Sequence, residues 1–488
     1  MKKVFSILTV LLLVASVSVA NARNLSEKEV KDAAAYYMGH YAGQYVDASD
    51  VEVVVQFDNE VLGIPAAYIL NVSDWGWIMM VANSATDPVM AFNDHCTFPT
   101  KDIQMPDNMR WWIDSYLEMV TAVQIEDEKQ HFDDADEWVD IFNRTLPAVT
   151  KDNPEHVLML EEWDQGNDDG TDYNMYSPVE NGIHCPTGCV ATALAQIMHY
   201  YRFPVQPRFR ASTTWNGQTL AMNLDTVTFD YSLMPNRITS NSTIEQRREV
   251  SKLGYAVGLA MKMTFRADGS GAYSSNAPRS MSDYFKYVGT RSQLDREGNG
   301  DTAFVNTVRS ELKRNCPVYM HGSSATGGDG HAAGHAWVCC GYRDDRPAMY
   351  WMNWGWSTNM ASANTWYNLK TNNMPISGTL YNFNVGQGII YDMYPPQDST
   401  QINILGISDV ANSVSLPAAY PNPATAKVVL PYRTDMSADM TIYSIDGKLI
   451  ERRSLTAGEG AVEINVSAMP AGIYVYRVGG ATGKFLVQ

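Results

Sequence analysis

Basic residues are scarce in this chain: 36 Lys and Arg stand against 54 Asp and Glu, a formal net charge of -18 over 488 residues. A surface that acidic has little to offer a phosphate backbone or anionic headgroups, which excludes nucleic acid and charged lipid as expected partners. Cysteines are few as well, namely Cys96, Cys185, Cys189, Cys316, Cys339 and Cys340. They cannot staple a chain of this length, so its folding must rest on apolar cores, and at least one thiol is available for chemistry. Their spacings are not those of zinc modules, so no metal and no other cofactor is expected. Cys339 and Cys340, adjacent on an apolar strand, point to opposite faces and read as buried thiols, because a bond between them would strain the strand. Low-complexity tracts and internal repeats do not occur. Beyond the N-terminus no apolar run reaches the ~20 residues of a membrane span.

Apolar and aromatic residues are plentiful: 45% of the chain is hydrophobic, with 27 Tyr and 12 Trp, which is a globular composition. The length calls for roughly two to four modules. Met1-Lys2-Lys3, an apolar stretch and Ala20-Asn21-Ala22 read as a signal peptide over 1–22. Residues 23–150 read as an α+β module. Ser26 and Glu29 make a capping box for a helix, strands are expected at 51–57, 66–71 and 75–82, and a helix at 109–123 carries Trp111 and Trp112. The acidic stretch 124–140 reads as a hinge.

Residues 151–395 read as a second α+β module, with helices at 189–202, 245–263, 280–287 and 301–314 and strands at 318–321, 336–342, 350–354 and 388–393. Residues 396–412, opening on Pro396, form a linker, and 413–488 hold short strands around an Asp446-Gly447 hairpin turn, the pattern of a small β-sandwich.

Chemistry concentrates at Cys189. Val190, Leu194, Ile197 and Met198 are spaced for a helix that buries one face and stops before Pro204. With Thr187 as N-cap, Cys189 sits in the first turn, where free N–H groups and the helix dipole favour a thiolate. A nucleophilic thiolate needs a base, an orienting group and oxyanion donors. His335 opens an apolar strand behind the Gly-rich loop 322–330, 146 residues after Cys189 (335 minus 189). It is preferred as base over His331, which lies where nothing fixes its ring. The Asn353 carbonyl can accept the histidine Nδ1–H, with Trp354 shielding that bond. The Gln165 amide can join the Cys189 N–H in an oxyanion hole.

Gly188-Cys189-Val190-Ala191-Thr192-Ala193, Ala195-Gln196-Ile197-Met198, Gly334-His335-Ala336, Asn353-Trp354-Gly355-Trp356 and Trp163-Asp164-Gln165, in that combination, resemble the streptopain family of bacterial papain-fold cysteine proteases. The resemblance implies a papain-like two-subdomain core over 151–395. In it Cys189 is the nucleophile, His335 the general base and acid, Gln165 an oxyanion donor, and Asn353 and Trp354 surround the histidine. It also implies protein or peptide substrates and an apolar preference in the residue preceding the scissile one. Val190 departs from plant-type papains, where an aromatic follows the cysteine. Tyr68-Ile69-Leu70-Asn71, Trp75-Gly76-Trp77 and Pro88-Val89-Met90-Ala91-Phe92 resemble that family's propeptide, which makes 23–150 an intramolecular inhibitor. Tyr420-Pro421-Asn422-Pro423, Met469-Pro470-Ala471-Gly472 and the closing Lys484-Phe485-Leu486-Val487-Gln488 resemble the C-terminal sorting domain of the type IX system of Bacteroidetes. This implies passage through the periplasm, secretion machinery as a partner, and a secreted or cell-surface destination. Two other readings fit the same residues: a catalytically inactive protease-fold adhesin or host-protein binder, and an acyltransferase or transglutaminase using the same triad.

Overall fold

A computed structural model describes residues 22–488 except 102–104, 106, 131–134, 149–154, 166–172, 289–291, 297–300, 324–333, 347, 357–363, 370–374, 377–378, 381–386, 397–415, 417–418, 435–437, 445–448, 457, 468 and 479–480. The expected signal peptide up to Asn21, the linker after Pro396, His331 with its loop, and the Asp446-Gly447 turn lie outside the described residues.

The N-terminal module opens as its capping box dictates. Ser26 Oγ accepts from the Glu29 N–H and the Glu29 carboxylate accepts from the Ser26 N–H, starting helix Glu27–Ala42. Four antiparallel strands follow: Val51–Asn59, Ile64–Val72, Trp77–Val81 and Val89–Asn93. The hinge expected at 124–140 is instead helical. Helix Asp107–Gln130 runs on into that stretch, and helix Asp136–Asn143 buries Trp138 and Ile141. Two apolar residues three apart seat a helical face however acidic its rim.

Val89–Asn93 does not end the sheet, because Ala91 and Phe92 pair with Tyr367 and Trp366 of strand Thr365–Asn368. One sheet therefore crosses from the N-terminal module through Thr365–Asn368, Met349–Asn353, Gly334–Arg343, Val318–Ser323 and Gly388–Tyr391 to Ser292–Asp295. Strand Gly334–Arg343 separates two cores, as strand alternation requires. Trp337 and Cys339 join the core shared by the N-terminal module and helix Asp301–Lys313. Ala336, Val338 and Cys340 join the core of helices Cys189–Tyr201 and Ile244–Ala260.

At the C-terminus, Lys427–Thr434 pairs with Gly458–Asn465, and Leu449–Leu455, Ala438–Ser444, Gly472–Val478 and Ala481–Val487 make a four-stranded sheet. Both sheets share a core that includes Val428, Leu430, Ile442, Tyr476 and Phe485, the arrangement of a sandwich. Strand Leu449–Leu455 was not expected, since its Glu451, Arg452 and Arg453 conceal the alternation.

Candidate active site

Cys189 is the first residue of helix Cys189–Tyr201, and the N-cap is Gly188, not Thr187. Gly188 has φ 90°, and a Cβ there would lie 2.8 Å from the Ser270 carbonyl oxygen and 3.0 Å from Met263 Sδ, so only glycine fits the turn. That turn directs Thr187 elsewhere: its hydroxyl donates to Asn174 Oδ1 at 2.8 Å, and its N–H to the same oxygen at 2.7 Å. Val190 through His199 are all buried. The helix is thus enclosed all round and not on one face: Ala191, Ala193 and Ala195 join the apolar core, and its polar residues Thr192, Gln196 and His199 are buried as well. Cys189, half-buried at the open end, faces the positive pole of the dipole. By contrast, desolvation pushes up the thiols of Cys96, Cys185, Cys316, Cys339 and Cys340. Tyr319 is a neighbour that sequence reasoning missed. Burial raises its phenol far above the ordinary range, the hydroxyl contact with Ser274 opposes this, and the charge on Cys189 adds to it.

Gln165 is 5% exposed, and its Nε2 finds no acceptor among the described residues. Its backbone carbonyl accepts from Asn174 Nδ2 at 3.4 Å. Asn174 therefore braces Gln165 against Thr187, two residues before the nucleophile. Nothing in the sequence near Asn174 signals this role, since its partners lie on both sides of it in the chain. Asn353, 2% exposed, donates from Nδ2 to the Glu161 carbonyl at 2.5 Å and to Gln196 Oε1 at 3.0 Å, while its Oδ1 accepts from the Gly355 N–H at 3.1 Å. These bonds tie it to the nucleophile helix, and none of them goes to His335. Glu161 is itself anchored there, its carboxylate 2.7 Å from Nδ1 of the buried His199.

His335 lies directly opposite Gly322 in the strand register. Opposed residues share a face, so His335 has the face of Trp337 and Cys339, whereas Cys189 packs on the other side, with Ala336, Val338 and Cys340. The face of His335 is the one covered by helix Asp107–Gln130. A Cβ on Gly322 would sit 2.2 Å from the Trp111 ring, so this glycine is the seat of that indole. Trp111 and Trp112 pack on Trp337 with ring centroids 5.9 and 6.3 Å apart, and Trp112 lies 6.4 Å from Trp354. Trp354 thus sits among tryptophans of both modules.

A second cluster spans the same junction. The ligand atoms of Asp94, His95 and Glu155 lie within 4.8 Å of one another, the one group among the described residues that could hold a metal. A guanidinium already serves these carboxylates: Arg343 contacts Glu155 at 2.5 Å and Asp94 at 3.3 Å. A divalent cation placed beside that charge would be repelled. Arg346, next to it, lies 3.9 Å over the Phe92 ring and 4.0 Å over Tyr41. The cluster is thus an ionic and cation–π clasp between modules.

Comparison with known proteins places two regions of the chain. Residues 163–367 match the Peptidase C10 family, and residues 418–488 match the secretion system C-terminal sorting domain. The thiol protease/hemagglutinin PrtT of Porphyromonas gingivalis is 26% identical over 409 residues, which cover 79% of this chain and 42% of PrtT. The chain therefore spans less than half of that relative. Streptopain of Streptococcus pyogenes is 25% identical over 359 residues, covering 69% of this chain and 82% of streptopain. Among solved structures, a prointerpain A fragment of Prevotella intermedia has a TM-score of 0.53 at 21% identity, covering 71% of this chain and 99% of the fragment.

Proposed function

Residues 163–367 form a Peptidase C10 domain, a domain of cysteine peptidases, and we propose from this that the chain is an exported endopeptidase held latent by its N-terminal module. The sorting domain at 418–488 marks the chain for the cell surface or the outside. Among the described residues no helix is long and apolar enough to cross a membrane.

The observation that carries the reading is the setting of Cys189, first in a buried helix, with Gln165, whose side-chain Nε2 has no acceptor among the described residues, braced to that turn by the bond from Asn174 to its backbone carbonyl. The Cys189 thiolate attacks the carbonyl carbon of a peptide bond, and the Gln165 amide and the Cys189 N–H receive the oxyanion. The His335 imidazolium protonates the leaving amine as the C–N bond breaks. His335 then takes a proton from water, whose oxygen attacks the thioester. The C–S bond breaks and the thiolate returns. In that cycle the Asn353 oxygen accepts the His335 Nδ1–H, and Trp354 covers the bond. Substrates are proteins or peptides with an apolar residue preceding the scissile one.

Latency is the covering of the strand face at His335 by the N-terminal module, with Trp111 seated on Gly322 directly opposite that histidine; the register of Gly334–Arg343 supports it. Maturation removes the propeptide, 23–150, and uncovers that face. The test uses full-length chain and its Cys189→Ala variant, each freed of the N-terminal module by an added protease that is then removed. Casein hydrolysis is expected to fall by ~10³-fold or more in the variant. Undiminished hydrolysis would overturn the assignment.

A further inference from the structure

Gln196 joins the pieces of this centre, although no chemical step above uses it. It lies on helix Cys189–Tyr201 seven positions after Cys189, hence on the same side, and is fully buried. Its Oε1 accepts from the Trp163 N–H at 3.2 Å and from Asn353 Nδ2 at 3.0 Å. One oxygen therefore holds both the segment that leads to Gln165 and the amide that would orient His335.

Backbone groups fix the polarity of this network. The Trp163 N–H can only donate, so Gln196 presents its oxygen. The Glu161 carbonyl can only accept and the Gly355 N–H can only donate, so Asn353 turns Nδ2 toward Glu161 and Gln196 and Oδ1 toward Gly355. That leaves the Asn353 oxygen a second lone pair for an imidazole N–H. On Gln196 itself, Nε2 has no partner among the described residues. A buried amide with half its polar atoms unsatisfied is a poor choice for stability, where an apolar side chain of the same size would fill the space. The side chain is held there for its oxygen.

We propose that Gln196 is a positioning residue of the catalytic centre. Its carbonyl locks the Asn353 amide in the orientation that offers oxygen to His335, and it fixes the Trp163 segment that carries Gln165. The proposal rests on the peptidase reading above. Gln196→Met removes the acceptor at nearly constant volume, Gln196→Asn withdraws it by one methylene, and Gln196→Glu keeps it. Each variant is made in the full chain and matured by an added protease. The readings are kcat and KM on a peptide amide and the pH profile of Cys189 alkylation by iodoacetamide.

Gln196→Met and Gln196→Asn should lower kcat by ~100-fold with KM within about threefold. Their alkylation profile should move to higher pH, because a histidine without its orienting acceptor pairs less well with the thiolate. Gln196→Glu should recover the greater part of kcat. A folded Gln196→Met with unchanged kcat and alkylation profile would overturn the proposal, as would a Gln196→Glu no better than Met. If Met does not fold, the Asn variant decides by the same readings. An active Cys189→Ala would remove the underlying reading, whereas an inactive Cys189→Ala beside a fully active Gln196→Met would remove this inference alone.

Discussion

Gln165 places a buried Nε2 beside no acceptor among the described residues. An amide N–H left in that condition costs about 1–3 kcal/mol, so the residue is a liability unless the donor has a guest. Gln165→Leu should therefore hold or raise the melting temperature while lowering kcat by ~10²–10³-fold, since an oxyanion donor is gone. A lower melting temperature with kcat preserved would make Gln165 a structural residue. The candidates with local chemistry were legible in the chain: a cysteine at a helix start and a histidine at a strand start announce themselves through neighbours a few positions away. Asn174 and Gln196 were not, because each matters through partners that only folding brings near. Gln196 meets Asn353 across 157 residues, and the Asn174 oxygen meets Thr187 across 13. The N-cap at Gly188 is hidden for a similar reason. Only a glycine fits there because a Cβ would meet Ser270 and Met263, and those are distant in sequence.

Helix Asp107–Gln130 and the strand beneath it meet at Trp111 and Gly322. Trp111→Ala deletes the indole that covers this glycine, a loss of up to ~3 kcal/mol for a partly buried ring. Its consequence should be a shorter lag before casein hydrolysis when the latent chain receives a fixed amount of activating protease. Gly322→Ala should shorten the lag in the same way, because its Cβ and the ring cannot both stay. An unchanged lag in both variants would remove this contact from the account of latency. The 109–123 pattern foretold the helix and its tryptophans, but the face they cover depends on the pairing of Gly322 with His335. Hydrophobic periodicity reports that a face is buried and is silent on what buries it. Acidity misled at 124–140 on the same grounds, where Trp138 and Ile141 outweigh the carboxylates around them.

The two modules share one sheet and one clasp, and the clasp titrates. The Glu155 carboxylate, 3.7 Å from the His95 ring, raises His95 above its ordinary 6.5, against burial. Its hold on the N-terminal module is complete below pH 6.5 and lost as pH climbs through the raised value. For Glu155, burial pushes upward, but His95 and Arg343 outweigh it and leave the carboxyl below 4.5, so its contribution is present above pH 4.5 and lost as pH falls through the lowered value. After cleavage, the fraction of N-terminal module that co-elutes with the rest on gel filtration should be greatest between pH 4.5 and 6.5 and decline on both sides. A flat profile, or a minimum in that window, would assign the hold to the sheet junction and the aromatic contacts alone.

The indoles on either side of Gly322 carry a practical consequence. On the proposed removal of the N-terminal module, Trp111 and Trp112 would leave with it while Trp337 and Trp354 stay behind, and all four rings would pass from a shared apolar interior toward water. Their emission should shift to the red and exchange of excitation among them should cease, so the chain carries its own optical gauge of maturation. Stopped-flow fluorescence can then time the departure of the module in the Cys189→Ala variant, where no substrate is turned over.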